Sequence, residues 1–287
     1  MRNLSEANLT QTVIDSMKEG QDARTKEILT SLVRHLHAFI REVRLTKEEW
    51  LTGIELLTAA GQLSDANRQE VILLSDTLGI TALKDFVNHG HAPGATEYTI
   101  LGPFYRDGAA EMPAGASIAE GIPGEPVLVS GRVLDGEGQP IAGALLDVWQ
   151  ASGEGFYDVQ GQGLPDMGLR GRFRSDAEGA FHFRTIRPSS YPIPFDGPVG
   201  QMLIATARHP YRPAHIHFIV SAEGFEPVTT ELYAEGDPYL ESDAVFGVRD
   251  SLVVKFERRE EIEDGAPDGL SAPYYHVTYD FVLEPEE

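Results

Sequence analysis

The sequence predicts a mainly β protein with an α-helical N-terminal region: an antiparallel β-sandwich core plus a helical dimerisation and linker segment. Three observations predict it. All 18 prolines fall after residue 92, and proline breaks helix interiors. Before that point, apolar residues recur at helical spacing. After it, short segments rich in Val, Ile, Phe and Tyr alternate with turns containing Gly and Asp. We expect a helical domain over residues 1–95 and a β-sandwich domain over 96–287.

Residues from about Ser5 to about Phe86 read as helical. Leu29, Leu32, Val33, Leu36, Phe39, Ile40 and Val43 make an apolar stripe on one long helix. Thr46-Lys-Glu-Glu has the pattern of a capping box opening the next helix. Asp65 is expected to cap a third, running through Val71, Ile72 and Leu74. The composition changes at Asn88-His-Gly-His-Ala-Pro-Gly-Ala. Beyond it the predicted strands are Val127–Leu134, Ala144–Gln150, Gly171–Arg174, Ala180–Ile186, Gln201–Ala207, His215–Ser221, Val228–Tyr233, Leu252–Glu257 and Tyr275–Leu283. Asp135-Gly-Glu-Gly and Asp176-Ala-Glu-Gly are expected to turn hairpins. The helices have too little material for a core of their own, so the stripe must bury against the sandwich or a second copy. A homodimer through the N-terminal helices is the favoured arrangement.

Lys and Arg total 23 against 45 Asp and Glu, a formal charge of −22. Such a field repels nucleic acid and anionic membranes, and it favours an uncharged small substrate over a phosphorylated one. The chain has no cysteine. That excludes disulfides, Fe–S clusters, thiolate zinc sites and cysteine nucleophiles. The N-terminus carries no apolar h-region, and no apolar run approaches membrane-spanning length. A soluble cytoplasmic protein is expected.

The segment Arg212-Pro-Ala-His-Ile-His-Phe carries the strongest chemical signal. On a strand, His215 and His217 share one face while Ile216 and Phe218 share the other. Two adjacent imidazoles are half of a metal site, and they are costly to bury without a partner. The other histidines add little. His35 and His37 lie two apart on a helix and do not face each other. His89 and His91 form the one rival pair. His182 alternates with Phe181 and Phe183 and should face away from them. His209 and His276 are solitary. The bland alternative for any single histidine is a hydrogen-bonded core or surface residue.

A His-x-Asp or His-x-Glu tripeptide, common in ferrous facial-triad sites, does not occur in the chain. With thiolate also excluded, the tyrosine phenolate is the remaining strong anionic ligand. A phenol ordinarily titrates at about pH 10, so such ligation calls for a strongly Lewis-acidic ion, and ferric iron fits. Most of the ten tyrosines should be ordinary core residues. Tyr157 stands out because it follows Trp149 in a glycine-containing loop. Tyr191 stands out because prolines stiffen its loop, Arg187-Pro-Ser-Ser-Tyr-Pro-Ile-Pro.

Leu101-Gly-Pro-Phe-Tyr, Gly143-Ala-Leu-Leu-Asp-Val-Trp-Gln, the Phe156-Tyr157 loop, Tyr191-Pro-Ile-Pro and Arg212-Pro-Ala-His-Ile-His-Phe together resemble the intradiol ring-cleaving catechol dioxygenases. The likeness runs from about Leu73 to about Val254. It implies one Fe(III) per chain, held by Tyr157, Tyr191, His215 and His217. It implies a small aromatic diol and O2 as substrates, with the ring opened between its two hydroxyl-bearing carbons to a cis,cis-muconate. In this scheme Tyr191 is the displaced ligand and proton acceptor, and Arg212 stabilises anionic intermediates beside the diol. The implied pocket wall is Leu73, Asp76, Leu101, Gly102, Pro103, Phe104, Ile193, Pro194, Arg212 and Val245. The family also allows a lipid between the helices of the dimer.

Asp76 bears on the choice of diol. An aspartate facing an aromatic ring is costly unless it meets a donor. The third hydroxyl of hydroxyquinol (benzene-1,2,4-triol) supplies one, giving 3-hydroxy-cis,cis-muconate (maleylacetate). The alternative is a solvent-facing helix aspartate. Leu101-Gly-Pro-Phe and Tyr191-Pro-Ile-Pro-Phe-Asp-Gly-Pro-Val-Gly also look more like the hydroxyquinol-cleaving branch. Glu231 stands where catechol-cleaving members tend to carry glutamine. Two other readings stay open. One is cleavage of catechol or chlorocatechol. The other is a non-catalytic prealbumin-like sandwich, which the segment from Val129 to Ala144 resembles. That second reading leaves the paired histidines and both loop tyrosines without a role.

Overall fold

Helices occupy the N-terminal third, as the lack of proline permits: α1 (Leu9–Ser16), α2 (Ala23–Val43), α3 (Lys47–Leu63), α4 (Glu70–Thr77) and α5 (Ile80–Asn88). The computed structural model describes residues 2–18, 22–65, 68–88, 93–161, 163–263 and 265–286. The chain divides into two compact units, Met1–Thr58 and Ala59–Glu287. The capping box forms as expected at α3: Thr46 Oγ1 accepts the Glu49 N–H, and Glu49 accepts the Thr46 N–H. On α2 the stripe residues Leu29, Leu32, Leu36, Phe39, Ile40 and Val43 are 42–51% exposed. Among the described residues, no helix is long and apolar enough to cross a membrane.

Asp65 does not cap α4. Its carboxylate accepts the Arg68 N–H at 2.8 Å, closing a turn, and α4 begins only at Glu70, after an N-cap Gln69 whose side chain makes no capping bond.

The strands are β1 (Pro126–Asp135), β2 (Leu145–Gln150), β3 (Arg170–Arg174), β4 (Ala180–Ile186), β5 (Tyr191–Pro192), β6 (Tyr211–Arg212), β7 (His215–Ser221), β8 (Val228–Ala234), β9 (Val253–Val254), β10 (Glu257–Arg259), β11 (Tyr274–Thr278) and β12 (Phe281–Leu283). One sheet runs β10-β11-β1-β12 with β4 also on β1; the other runs β3-β2-β7-β8-β9. Their facing sides form the sandwich core. Val127, Val129 and Val133 of β1 and Phe181 and Phe183 of β4 pack with Leu146 and Val148 of β2 and Ile216, Phe218 and Val220 of β7. Each such side chain contributes about 1.5–3 kcal/mol on burial.

Pairing within the sandwich is mixed. β2, β3, β7 and β8 are antiparallel, but β1 lies parallel to both β11 and β12. The predicted single strand Tyr275–Leu283 is broken into β11 and β12, which both pair with β1; at the break the Tyr279 carbonyl oxygen comes so close to Gly131 that a Cβ there would stand 1.7 Å from it. Asp280 fills the break by accepting the Arg132 N–H at 2.8 Å. The Asp176 turn forms, but it carries the chain from one sheet to the other and is not a hairpin. Leu252–Glu257 is likewise divided, into a 3-10 turn, β9 and a crossing to β10.

Gln201–Ala207 is not a strand. It belongs to α6 (Pro198–Ala205), with Gly197 at the N-cap and Pro198 in the first turn. Val199, Gly200 and Leu203 are the buried positions, and Glu70 accepts the Val199 N–H at 3.1 Å. The sequence carries the correct signal, proline at N1; the apolar Met-Leu-Ile run masks it.

Candidate metal centre

With Ile216 and Phe218 in the core, strand alternation sends His215 and His217 to the opposite face of the sheet. That face is not open to water, since both histidines are 1% exposed. A second cluster covers them: Phe104, Trp149, Ala151, Tyr157 and Tyr191. Trp149 sits opposite His217 in the β2–β7 register, and the two rings stack with centroids 4.6 Å apart.

Two loops mount the tyrosines. Tyr157 begins a 3-10 turn in which its N–H donates to Gln160 Oε1 at 2.8 Å. Asp158 anchors this loop. It is pinned by Arg106 and by Arg170, whose Nε donates at 2.9 Å, and these arginines hold its carboxyl below the usual range against the effect of burial. Gly155, at φ +83°, lets the loop pass Tyr191; a Cβ there would stand 2.8 Å from Tyr191 Cβ. Tyr191 is held in register with Arg212 by the two-residue β5–β6 ladder.

The four side chains converge through their polar atoms. His215 Nε2 and His217 Nε2 are 3.1 Å apart, His217 Nε2 is 3.1 Å from Tyr157 Oη, and Tyr157 Oη is 3.3 Å from Tyr191 Oη. Metal–nitrogen and metal–oxygen bonds are about 2.0–2.2 Å long. Donor atoms around one ion therefore stand about 3 Å apart, as these do. The proton bookkeeping agrees. His215 Nδ1 faces the Pro213 carbonyl at 2.6 Å. A carbonyl only accepts, so Nδ1 carries the proton and Nε2 a lone pair. His217 Nδ1 lies 3.0 Å from Glu231 Oε1, though without hydrogen-bond alignment. Burial holds both imidazoles below their ordinary pKa, His217 far below, so they are neutral. The His215 Nε2 lone pair meets Arg212 Nη1 at 3.1 Å and the His217 Nε2 lone pair meets the Tyr157 hydroxyl at 3.1 Å, so the two nitrogens converge as acceptors beside one point, as ligands of a cation do. Burial likewise pushes both phenols up; Tyr191 adds to the rise at Tyr157, and Arg212 opposes it at Tyr191. A strongly charged ion is what would ionise them.

Among the described residues, His215, His217 and Glu231 form a group of His and carboxylate ligand atoms within 4.8 Å of one another. Glu231 Oε1 lies 3.0 Å from His217 Nδ1 and 3.6 Å from His215 Nε2. Arg212 engages both oxygens of Glu231, at 2.8 and 2.9 Å, and Tyr233 donates to it as well. Burial alone would raise its pKa, but Arg212, His217 and His215 hold it far below the usual range. It behaves as a carboxylate braced behind a histidine, an arrangement that orients ligands.

Of the predicted wall, Leu73, Pro103, Phe104, Ile193 and Pro194 line one cavity of about 690 Å³, joined by Phe156, Val159 and Gln160. Gly102 abuts His217, where a Cβ would stand 3.3 Å from Cε1. Leu101 is 40% exposed. Arg212, Val245 and Asp76 are buried and lie off the cavity surface. Asp76 is not the solvent-facing alternative. Its Oδ1 accepts from Thr81 at 2.6 Å, its Oδ2 has no partner, and burial raises its pKa to about 6. The rival His89 and His91 lie outside the described residues. His182 is half-buried, on the face away from Phe181 and Phe183. Asp243 and Tyr233, which also grip Arg212, carry no local sequence signal, because the contact spans 21 to 31 residues.

Comparison with known proteins gives two family matches: "Catechol dioxygenase N terminus" over residues 22–96 and "Dioxygenase" over residues 100–285. The chain is 50% identical over 285 residues to the 6-chlorohydroxyquinol 1,2-dioxygenase of Cupriavidus pinatubonensis, covering 99% of each. It is 48% identical to hydroxyquinol 1,2-dioxygenase from Pseudomonas putida DLL-E4, with a TM-score of 0.89 over 98% of this chain and 99% of that one. Catechol 1,2-dioxygenase from Acinetobacter sp. ADP1 superposes with a TM-score of 0.84 at 29% identity, over 98% of this chain and 92% of that one.

Proposed function

The chain belongs to the intradiol dioxygenase family, and on that premise we propose that it cleaves hydroxyquinol with O2 to 3-hydroxy-cis,cis-muconate. Both oxygen atoms enter the product, and the bond between the two adjacent hydroxyl-bearing carbons breaks. One Fe(III) per chain is held by Tyr157, Tyr191, His215 and His217. When bound, it supplies the Lewis acidity that draws both protons from the diol and makes the ring reactive toward O2.

The side chains divide the remaining work. Tyr191 Oη takes up a diol proton. Arg212 supplies a cationic donor to the anions that develop on the ring. Trp149, Phe104 and the cavity residues Leu73, Ile193 and Pro194 exclude water and hold the ring by apolar contact. Leu101, Gly102 and Pro103 complete the wall, and Val245 lies buried off it. Asp76 reads the third hydroxyl.

The observation that carries the choice of substrate is Asp76 Oδ2, a buried carboxylate oxygen without a hydrogen-bond donor. Hydroxyquinol brings that donor; catechol leaves the oxygen unpaired, which costs about 1–3 kcal/mol. The high identity to enzymes named for hydroxyquinols supports the same choice. Oxygen-electrode assays with hydroxyquinol and catechol side by side test it: equal or greater kcat/KM on catechol would refute it. The exposed stripe on α2 supports a homodimer through the N-terminal helices, and a lipid along the stripe belongs to the same proposal.

A further inference from the structure

A guanidinium has five N–H groups, and in Arg212 nearly all are claimed by protein oxygens. Nε donates to Asp243 Oδ1 at 3.1 Å, and Nη2 to Asp243 Oδ2 at 3.2 Å. Glu231 takes Nη1 at 2.8 Å and Nη2 at 2.9 Å, while Tyr233 Oη lies 3.3 Å from Nη2. The remaining N–H, on Nη1, donates to His215 Nε2 at 3.1 Å. That hydrogen alone points toward the metal centre.

The loop from Asp243 to Gly247 is built to present the second carboxylate. Asp243 accepts the N–H of Val245 at 3.3 Å and of Gly247 at 2.9 Å. Phe246 stands at φ +61°, a left-handed conformation that costs a bulky residue on the order of 1–3 kcal/mol and persists only where its surroundings impose it. Here the Phe246 N–H donates to the Asp243 carbonyl at 3.1 Å, and Arg208 stacks 4.9 Å over the Phe246 ring and donates to the Ala244 carbonyl at 2.7 Å. Gly247 leaves no slack. A Cβ there would stand 2.5 Å from Tyr233 Oη and 2.7 Å from Arg212 Nη2.

We propose that Asp243, carried on this strained loop, is a positioning residue that aims the Nη1–H of Arg212 not held by a carboxylate or tyrosine oxygen at the metal centre, where the bound diol meets it. The proposal rests on the reading of Arg212 and of the four ligands given above. Glu231 and Asp243 together more than neutralise the arginine, so its contribution is directional: an aimed donor, not a net positive field. Glu231 holds the Nη1–Nη2 edge of the guanidinium, and Asp243 holds the second edge, Nε–Nη2, so the two carboxylates together fix its plane.

Two variants separate charge from space. Asp243→Asn removes the charge and an acceptor oxygen. Gly247→Ala drives a methyl group at Nη2 and leaves every charge in place. Iron-loaded, both are expected to keep wild-type iron content and the tyrosinate charge-transfer band. Both should lose about 10- to 100-fold in kcat, with KM for hydroxyquinol within about threefold, the signature of a donor used only in the transition state. Asp243→Glu should recover part of the loss. In the iron-free protein, NMR of the arginine side chains reads orientation directly. The slowly exchanging Arg212 Nε–H, present in the wild type, should vanish in Asp243→Asn and shift in Gly247→Ala. Wild-type kcat in both variants overturns the proposal, and so does an unchanged Arg212 Nε–H in Asp243→Asn. Loss of iron from both overturns it too, by making the loop part of the ligand scaffold. Absence of diol-dependent oxygen uptake by the wild type would sink the reading of the site, while the Arg212 resonance would still decide the clamp.

Discussion

The indole of Trp149 lies 4.6 Å from the imidazole of His217, with 7° between the ring planes. The stack fixes the His217 plane, and with it the direction of the Nε2 lone pair. Trp149→Ala should cost about 3–5 kcal/mol through the cavity it leaves. It should also weaken iron retention, because the imidazole gains freedom. Urea unfolding of the iron-free protein reads the first effect, and iron content after dialysis reads the second. Trp149→Phe should keep most of both.

Asp76 should control the choice of substrate. Asp76→Leu is expected to cut the preference for hydroxyquinol over catechol at least about tenfold, since a hydrogen bond to a charged group is worth about 1.5–3 kcal/mol. Competing oxygen-uptake assays measure the ratio. An unchanged ratio would remove Asp76 from the pocket.

The same carboxyl makes stability depend on pH. Burial raises its pKa to about 6, and Thr81 and Arg212 only partly offset this. The folded chain therefore holds this proton where the unfolded chain has released it. The group destabilises the fold increasingly as pH rises from about 4 through about 6. Between about pH 5 and about pH 7.5, Asp76→Leu should gain about 1.4 kcal/mol relative to wild type. Denaturant titrations of the iron-free protein at the two pH values supply the comparison.

Iron should be visible. Concentrated protein is expected to be red to purple through tyrosinate-to-iron charge transfer. Tyr157→Phe and His217→Ala should each lose most of the metal and the colour. Chelation should abolish activity and lower Tm, because a ligand that binds only the folded chain stabilises it. Full iron content in Tyr157→Phe would contradict the proposed ligand set.

Asp158 tests the mounting of Tyr157 without touching a ligand. It is fully buried between Arg170 and Arg106. Removing one partner of such a pair strands the other, at a cost of about 3–5 kcal/mol. Asp158→Ala should lower Tm and speed iron loss to a chelator. Fast iron loss at full stability would place the effect in the loop alone.

The apolar stripe of α2 should hold two copies together. Leu36→Glu, which puts a charge amid exposed Leu32, Phe39 and Ile40, is expected to shift light-scattering mass toward the monomer.

Much of the site was legible in the sequence because its signals are local. His215 and His217 alternate on one strand, proline stiffens the Tyr191 loop, and glycine opens the Tyr157 loop. The parts that stayed hidden depend on distant contacts. Nothing near Asp243 announces that it meets Arg212, and nothing near Trp149 announces His217. The helix over Pro198–Ala205 was obscured for a different reason, since a short apolar run fits a buried strand equally well and only its proline and buried spacing discriminate. The parallel strands β11 and β12 were likewise beyond reach, since register across so long a separation leaves no local mark.

That parallel pairing bears on how the molecule is made. A growing polypeptide emits β1 long before the segments that flank it, because Val127 bonds alongside Tyr275 and Val133 alongside Phe281. Until those late segments emerge from the ribosome, β1 has only β4 beside it and an open, aggregation-prone edge. The sheet that carries His215 and His217 is complete at Val254, before β11 and β12 are made, so its strands can pair while the other sheet still waits for two of its own.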